Sequence, residues 1–238
     1  MLSRPEHNKI RNRIALVSAS GLLLLVQPLQ AAPPRWKAAD YKRTNYKNYD
    51  QHPALKQVID FKNPDTAALD AAIFFETNRV RKENNLPPLL YHPLLEKMAL
   101  GHSRNMVEND FFDHVDPASG ANPKDRALKA GIKNPFTAEN IALNFGLQYT
   151  ANRDVYIMGP GQFSYQQGGA AIPPHTYVSL AKALLVQWMN SPAHRANILS
   201  DKGKELGCGA YLFFKKDFND MPMFKATQNF QWFEPIQP

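Results

Sequence analysis

The sequence predicts an α+β domain in which helices pack on a small antiparallel sheet. The chain has 238 residues, 44% of them hydrophobic, which is enough for one domain with a full core. All the predicted helices fall between about residue 65 and residue 200. Two alternating apolar runs, "GCGAYLFF" and "MFKATQNF", then close the chain with a polar turn between them, as in an antiparallel hairpin. Helices that come first and strands that come last favour the α+β class.

Residues 1–31 are predicted to be a secretory signal peptide. A basic leader precedes "IALVSASGLLLLVQPL", an apolar run too short and too interrupted for a membrane span, and "LQAA" offers small residues for cleavage after Ala31. An uncleaved N-terminal anchor is the alternative. We therefore expect an exported protein, periplasmic, cell-surface or extracellular, with no transmembrane domain in the mature chain.

Residues 32–64 are predicted to form a basic, aromatic-containing linker. Residues 32–62 hold seven Lys/Arg and three Asp, whereas residues 63–238 hold 17 charges of each sign. A folded domain without excess positive charge argues against nucleic-acid binding. The linker itself is interpreted as a mobile, solvated tether; the alternative is loose adhesion of residues 35–62 to an anionic envelope surface.

The folded domain is expected over residues 65–234, and its first helix is capped by Asp65 or Thr66. This helix runs to about Asn84 with one apolar stripe, and Arg79 and Arg81 are expected on its wet side. Two prolines in "NNLPPL" end it.

A second helix is expected after His92-Pro93. His102 lies on its apolar stripe, so a core histidine with one hydrogen bond is the expectation there. A loop rich in Asp, Gly and Pro follows, and Asn122-Pro123 starts a short third helix.

The strand "AENIALNF" comes next, and a Gly-, Gln- and Tyr-rich stretch at about 149–176 is expected to be an inserted loop that is either functional, as a lid or side wall, or disordered. A fourth helix is expected at about Tyr177–Asn190. Cys208 is the single cysteine, so the fold holds no internal disulfide, and Cys208 is interpreted as a small buried hydrophobe.

Three polar residues stand beside apolar anchors: His114 in "FFDHVDP", Glu139 in "AENIA" and His194 in "SPAHRANIL". Two imidazoles and one carboxylate suit a transition-metal site or an acid/base pair. Ser191-Pro192 predicts a helix start in which the Ser191 hydroxyl caps the first turn, which places His194 in that turn. Ser191 is therefore better explained as a cap than as a nucleophile.

The order of these motifs resembles the CAP superfamily, which comprises the cysteine-rich secretory proteins, antigen 5 and the pathogenesis-related proteins. The segments that carry the resemblance are "NRVRKENNLPPLLYHPLLEKMALGHSRNM", "FFDHVDP", "KDRALKAGI", "AENIA", "LLVQWMNSPAHRANIL", "LGCGAYLFF" and "FKATQNF". They span about residues 66–231 and are most similar to the bacterial secreted SCP-domain branch.

The resemblance implies a three-layer α-β-α sandwich with a cleft lined by two histidines and acidic residues. His114 matches the first cleft histidine, Glu139 the acid and His194 the second histidine, while Asn140 and Ser191 adjoin them in the cleft. Ser191 stands where animal and plant relatives have a second glutamate, and Asp and Glu are absent from 178–199.

Three functions remain open. The first is a binding module for a protein, peptide or lipid in the cleft, with Zn²⁺ or another divalent metal held by His114 and His194. The second is a hydrolase of peptide or cell-envelope material with catalytic candidates His114, Glu139 and His194. The third is a lipid carrier that uses the 149–176 loop. The sequence favours a protein that is not an enzyme, because it contains no nucleophile motif and no HExxH pair.

Overall fold

The computed structural model describes residues 32–237, so the predicted signal peptide lies outside the described residues. The helices are α1 (Thr66–Glu83), α2 (Pro93–Glu108), α3 (Pro123–Lys129), α4 (Tyr177–Asn190) and α5 (Pro192–Ile198). The strands are β1 (Leu90–Tyr91), β2 (Thr137–Phe145), β3 (Tyr156–Gly159), β4 (Gln162–Ser164), β5 (Gly203–Lys215) and β6 (Met221–Trp232). Within this range no helix is both long and apolar enough to cross a bilayer.

The main sheet has four strands in the order β1-β5-β6-β2, which confirms the α+β class with one correction. β2, β6 and β5 are antiparallel neighbours, as predicted. β1 pairs with β5 in parallel, so the sheet is mixed rather than antiparallel. β1 was not predicted from the sequence. It has only two residues, between "LPPL" and His92-Pro93, which is too short to show alternation.

The sheet lies between two helical layers, and β5 shows why. Gly207 and Gly209 face α2, and a Cβ on either would overlap the backbone of that helix. Leu206 and Cys208 point the opposite way, into the core shared with α1 and α4. Cys208 is free and buried, as expected. Glycine on one face of β5 thus allows α2 to approach closely, while larger residues fill the other layer.

The starts of α1 and α3 follow the predicted caps. The Asp65 carboxylate accepts from the backbone of Ala68 at the start of α1. Asn122 and Asp125 form a reciprocal capping box at the start of α3. These starts could be predicted because the groups that satisfy the first-turn N–H donors lie within three residues.

The prediction that Arg81 faces solvent was wrong, because α1 is buried on nearly all sides. Its side chain is fully buried and donates from Nη1 to the carbonyl oxygens of Ile198 (2.7 Å) and Ser200 (2.8 Å). Its Nε donates to the carbonyl oxygen of Pro87. Arg81 therefore ties α1 to the segment after α5 instead of facing water.

Residues 33–64 fold onto the domain and form one compact unit with it, so the interpretation as a mobile tether is corrected. Trp36, Tyr49 and Leu55 are buried in the same core as α1 and α4. Trp36 meets Phe75 of α1 edge to face. The aromatic side chains that looked like part of a solvated segment instead supply the apolar contacts that hold it.

The inserted segment at 149–176 contains the hairpin β3–β4 and has its own small core. Phe163 is fully buried in it, with Leu147, Ile172 and methionines of β6. Three consecutive residues of the hairpin, 156–158, are exposed.

Candidate functional site

The candidate site lies at β2, an edge strand of the main sheet. Successive side chains of a strand point to opposite faces, and Glu139 and Asn140 do so here. Glu139 is paired with Asn229 in the register of β2 and β6 and points to the α2–α3 layer, where it meets His114. Asn140 is paired with Gln228 and points to the other layer, where it meets α5. One dipeptide therefore contacts the elements that carry both candidate histidines.

Both oxygens of the buried Glu139 carboxylate are occupied. Oε1 lies 2.9 Å from His114 Nδ1, and Oε2 lies 2.6 Å from Arg126 Nη2. The amide of Asn229, oriented with its nitrogen toward the carboxylate, donates to Oε2 at 3.0 Å. The Glu139 side chain is only 1% exposed. Each oxygen therefore has a protein donor and the side chain is buried from solvent, so Glu139 is an internal group that holds its neighbours.

His114 is the exposed member of this cluster. Because a carboxylate only accepts, Nδ1 carries the proton that Glu139 receives, and Nε2 is left free. The hydrogen bond to Glu139 raises the pKa of His114 above its ordinary value. Its side chain is 42% exposed, and its neighbours Phe112 and Val115 are exposed apolar residues. The protein thus presents an oriented imidazole on a loop that also exposes two apolar side chains.

His194 is half-buried in the first turn of α5, next to the edge of β2. Asn140 Nδ2 donates to the His194 carbonyl oxygen at 3.1 Å, and Asn197 Nδ2 donates to Asn140 Oδ1 at 2.9 Å. Burial and the charge of the nearby His114 lower the pKa of His194. Of the two imidazoles, His114 is therefore the easier to protonate and His194 the harder.

Two of the predicted cleft residues have other roles. Asn140 is fully buried and fixes α5 from inside, so it does not line an open cleft. The Ser191 hydroxyl makes no capping hydrogen bond, which corrects the expected cap. Pro192 does begin α5, and the Ser191 carbonyl oxygen accepts from Arg195 N in the normal helical way. The helix start therefore relies on proline geometry and backbone bonds.

Arg126 belongs to the site although the sequence analysis did not select it. It donates from Nη1 to the carbonyl oxygens of His114 and Ala121, both at 2.9 Å, in addition to its bond with Glu139. It therefore links the loop that carries His114 to the carboxylate that orients the ring. Its place in "KDRALKA", one turn into a capped helix that follows His114, is the only local signal that could have identified it.

His102 is a buried core histidine, as expected, and it also approaches this cluster. Its Nε2 bonds to the Asp113 carbonyl oxygen at 3.0 Å and lies 3.7 Å from Glu139 Oε1. Burial lowers its pKa. His102 therefore supports the loop that carries His114, and burial favours its uncharged form beside Glu139.

Comparison with known proteins agrees with this architecture. The model of the CAP family, described as the cysteine-rich secretory protein family, matches residues 74–230. The chain belongs to the CAP family. That match contains the strand with Glu139, the loop with His114 and the helix with His194, so all three lie within the CAP domain.

The curated relatives of this CAP domain include two proteins of Bacillus subtilis strain 168. It is 26% identical over 190 residues to the uncharacterized protein YkwD, covering 77% of this chain and 60% of the relative. It is 28% identical over 185 residues to the uncharacterized membrane protein YlbC, covering 78% of this chain and 36% of the relative. The chain therefore spans less than two thirds of either protein.

Solved structures with a similar chain path include an extracellular SCP-domain protein of Bacillus anthracis. The identity is 25% and the TM-score 0.48, covering 71% of this chain and 42% of that one. An outer surface protein of Borrelia burgdorferi is 18% identical with a TM-score of 0.44, covering 74% of this chain and 98% of that one.

Proposed function

We propose that this CAP-domain protein acts outside the cytoplasm as a binding module, whose ligand contacts the imidazoles of His114 and His194. The observation that supports this proposal most is that the Glu139 carboxylate is buried and hydrogen-bonded to the protein itself. The carboxylate accepts hydrogen bonds from His114, Arg126 and Asn229. The groups accessible to a ligand are therefore the imidazoles and the exposed side chain of Phe112. An oriented donor and acceptor pair beside apolar surface is typical of a binding site.

We also propose that a divalent metal is held here by the two histidines alone. A carboxylate that accepts from one ring nitrogen and leaves the other free is the usual outer support of a metal-bound histidine. Among the described residues, no group of three His, Cys, Asp or Glu side chains could hold a metal ion. In this proposal His114 and His194 would be the two protein ligands of Zn²⁺, and water or a ligand oxygen would fill its remaining positions. A metal there would supply a positive centre for a carbonyl or anionic ligand group.

The test uses Zn²⁺ as the probe on chelator-stripped protein. We expect calorimetric binding and a raised thermal midpoint for the wild type, and loss of both in His114→Ala and in His194→Ala. His52→Ala is the control, because it removes an imidazole from the N-terminal segment instead. Equal Zn²⁺ binding by all four proteins, or no binding by the wild type, would contradict the two-histidine centre.

A hydrolase is the second candidate, and the 2.9 Å contact between His114 and Glu139 favours it. A carboxylate that orients an imidazole and raises its pKa is the arrangement of a general base, with Nε2 facing the reacting proton. Within the described residues, the Ser191 hydroxyl bonds to neither histidine, so the nucleophile would be water. Activity on a peptide or murein panel that disappears in His114→Gln would establish this function; an inactive wild type would remove it.

Lipid carriage is the third candidate, and a cavity of about 630 Å³ beside the inserted segment favours it. Its walls include Phe61, Leu147, Ile172 and Phe214, with Lys62 also lining it. Mass spectrometry of an organic extract from the purified protein tests this candidate, since an empty extract would count against it.

The folded N-terminal segment favours contact with an anionic envelope surface. Its aromatic residues turn inward, whereas Lys37, Lys42, Arg43, Lys47 and Lys56 are exposed. Fixed cations on one segment of an otherwise neutral domain attract anionic surfaces. Co-sedimentation with anionic but not neutral vesicles, abolished by salt and by Lys42→Gln/Arg43→Gln, is the expected result. Equal sedimentation of the wild type and this variant would contradict it.

A further inference from the structure

A buried lysine, Lys225, reaches from β6 to the base of the loop that carries His114. Its Nζ donates to the carbonyl oxygen of Met106 at 2.7 Å and to that of Phe111 at 2.8 Å. The same atom lies 5.4 Å from the centroid of the Phe213 ring, as in a cation–π contact. Lys225 therefore joins the sheet to the backbone on both sides of the end of α2.

The turn that Lys225 bridges is a Schellman motif at the end of α2. The Phe111 N–H donates to the Met106 carbonyl oxygen at 3.0 Å, and the Asp110 N–H donates to the Val107 carbonyl oxygen at 3.3 Å. Asp110 has a φ of +50°, in the left-handed region where glycine is the usual residue. Since aspartate is less favourable there than glycine, bonds from outside the turn help to hold it.

Two other side chains hold the loop beyond this turn. His102 Nε2 bonds to the Asp113 carbonyl oxygen at 3.0 Å, and Arg126 Nη1 donates to the His114 carbonyl oxygen at 2.9 Å. Lys225 holds the first part of the same loop. Side chains from three different elements, β6, α2 and α3, therefore fix the backbone of this short loop before any ligand arrives.

The charge of Lys225 is not explained by stability alone. A buried ammonium loses its hydration, and its bonds here go to neutral oxygens rather than to a carboxylate. A methionine would fill the space with no charge to desolvate. The carbonyl oxygens that Lys225 fixes lie at the base of the loop with His114, and His114 keeps its 2.9 Å contact with Glu139 only while that loop holds its place.

We propose that Lys225 is a positioning residue of the candidate site: its ammonium fixes the turn after α2 and thereby directs His114 toward Glu139 and the ligand. A loop that is already ordered lowers the entropy cost of binding, because the imidazole need not be immobilised when the ligand arrives. The effect on ligand affinity rests on the function proposed above, whereas the effect on the order of the loop does not.

The test measures the order of the loop by ¹⁵N relaxation and the Zn²⁺ affinity by calorimetry, at a temperature where each variant is folded. We expect amide order parameters of about 0.85 for residues 112–115 in the wild type and of about 0.6 or lower in Lys225→Met. The Zn²⁺ affinity should fall by about tenfold or more, as when the outer support of a metal ligand is removed.

Gln231→Met is the matched control. Gln231 is also buried on β6, and its Nε2 donates to the carbonyl oxygens of Asn134 at 2.8 Å and Glu234 at 3.2 Å. These oxygens belong to segments that do not carry His114. Gln231→Met therefore removes the same kind of link from the same strand, and it should lower stability without changing the order of the loop or the Zn²⁺ affinity.

Lys225→Arg keeps a charged donor and should retain more loop order and more Zn²⁺ affinity than Lys225→Met. An unchanged loop in Lys225→Met, or an equal loss in Gln231→Met, would overturn the proposal. A mobile loop in the wild type would overturn it even if Lys225→Met does not fold. If the wild type binds no Zn²⁺ but its loop is rigid and loosens in Lys225→Met, the two-histidine centre fails and the positioning role stands.

Discussion

Replacement of Arg126 by glutamine is the sharpest perturbation of the candidate site. The change removes the 2.6 Å contact with Glu139 and both bonds that tie the loop carbonyl oxygens of His114 and Ala121. The variant then contains a carboxylate that is 1% exposed and has lost its cation. Because Glu139 cannot reach water, the loss cannot be repaired by solvation in the folded state.

The magnitude follows from these contacts. Removal of one partner from a buried ion pair costs about 3–5 kcal/mol in the free energy of unfolding. The Arg126 side chain is 15% exposed, and His114 and Asn229 still donate to Glu139, so the lower end applies. We expect Arg126→Gln to lower the free energy of unfolding by about 3 kcal/mol. Glu139→Gln in the same chain should recover part of it, because the uncompensated charge is then gone.

Urea denaturation followed by tryptophan fluorescence measures these differences, with the two single variants and the double variant in one cycle. Arg104→Gln is the control, since it breaks the exposed pair with Glu108 and should change stability far less. If Arg126→Gln costs no more than Arg104→Gln, or the double variant equals the sum of the singles, the account of Glu139 as a buried charge held by Arg126 is refuted.

Three further predictions concern the imidazoles and the sheet. Glu139→Gln should lower the pKa of His114 toward its ordinary value in an NMR pH titration, because the bond that raises it is weakened; an unchanged pKa would oppose the dyad. Burial lowers the pKa of His175 to about 4, so the unfolded chain binds its proton first as the pH falls. Stability should therefore fall from about pH 6.5 to about pH 4, by at most about 3 kcal/mol, and His175→Gln should flatten this slope in urea denaturation. Gly209→Ala should prevent or severely weaken folding because its Cβ overlaps Leu100, whereas Gly101→Ala should be tolerated; circular dichroism of both variants decides, and a stable Gly209→Ala would contradict the packing.

Most helix starts and the existence of the two hairpin strands could be predicted because their causes are local, although β5 and β6 extend beyond the predicted runs at both ends. Asp65 and Asn122 cap helices through bonds to residues only three positions away. β5 and β6 are visible in the sequence because each contains an alternating run of eight residues, "GCGAYLFF" and "MFKATQNF". His114, Glu139 and His194 could be selected by motif order, although their spacing alone does not show that they meet.

The errors arise where burial depends on residues far along the chain. Arg81 is buried because carbonyl oxygens more than a hundred residues away accept from it, and its local pattern contains no sign of them. The basic composition of the N-terminal segment indicates a solvated linker, but its Trp36 and Tyr49 side chains pack against Phe75 of α1. Arg126 was not selected because its partners, the loop carbonyl oxygens of His114 and Ala121 and the carboxylate of Glu139 on β2, lie outside its own helix.

The opposite orientations of Glu139 and Asn140 have a consequence for how this chain can change. A one-residue deletion just before Glu139 would turn the acid toward α5 and the amide toward the loop of His114. Both histidines would lose their supports in a single event, even though neither had been altered. Both halves of the site therefore depend on the register of β2. Substitutions can change one half without the other only while that register is kept.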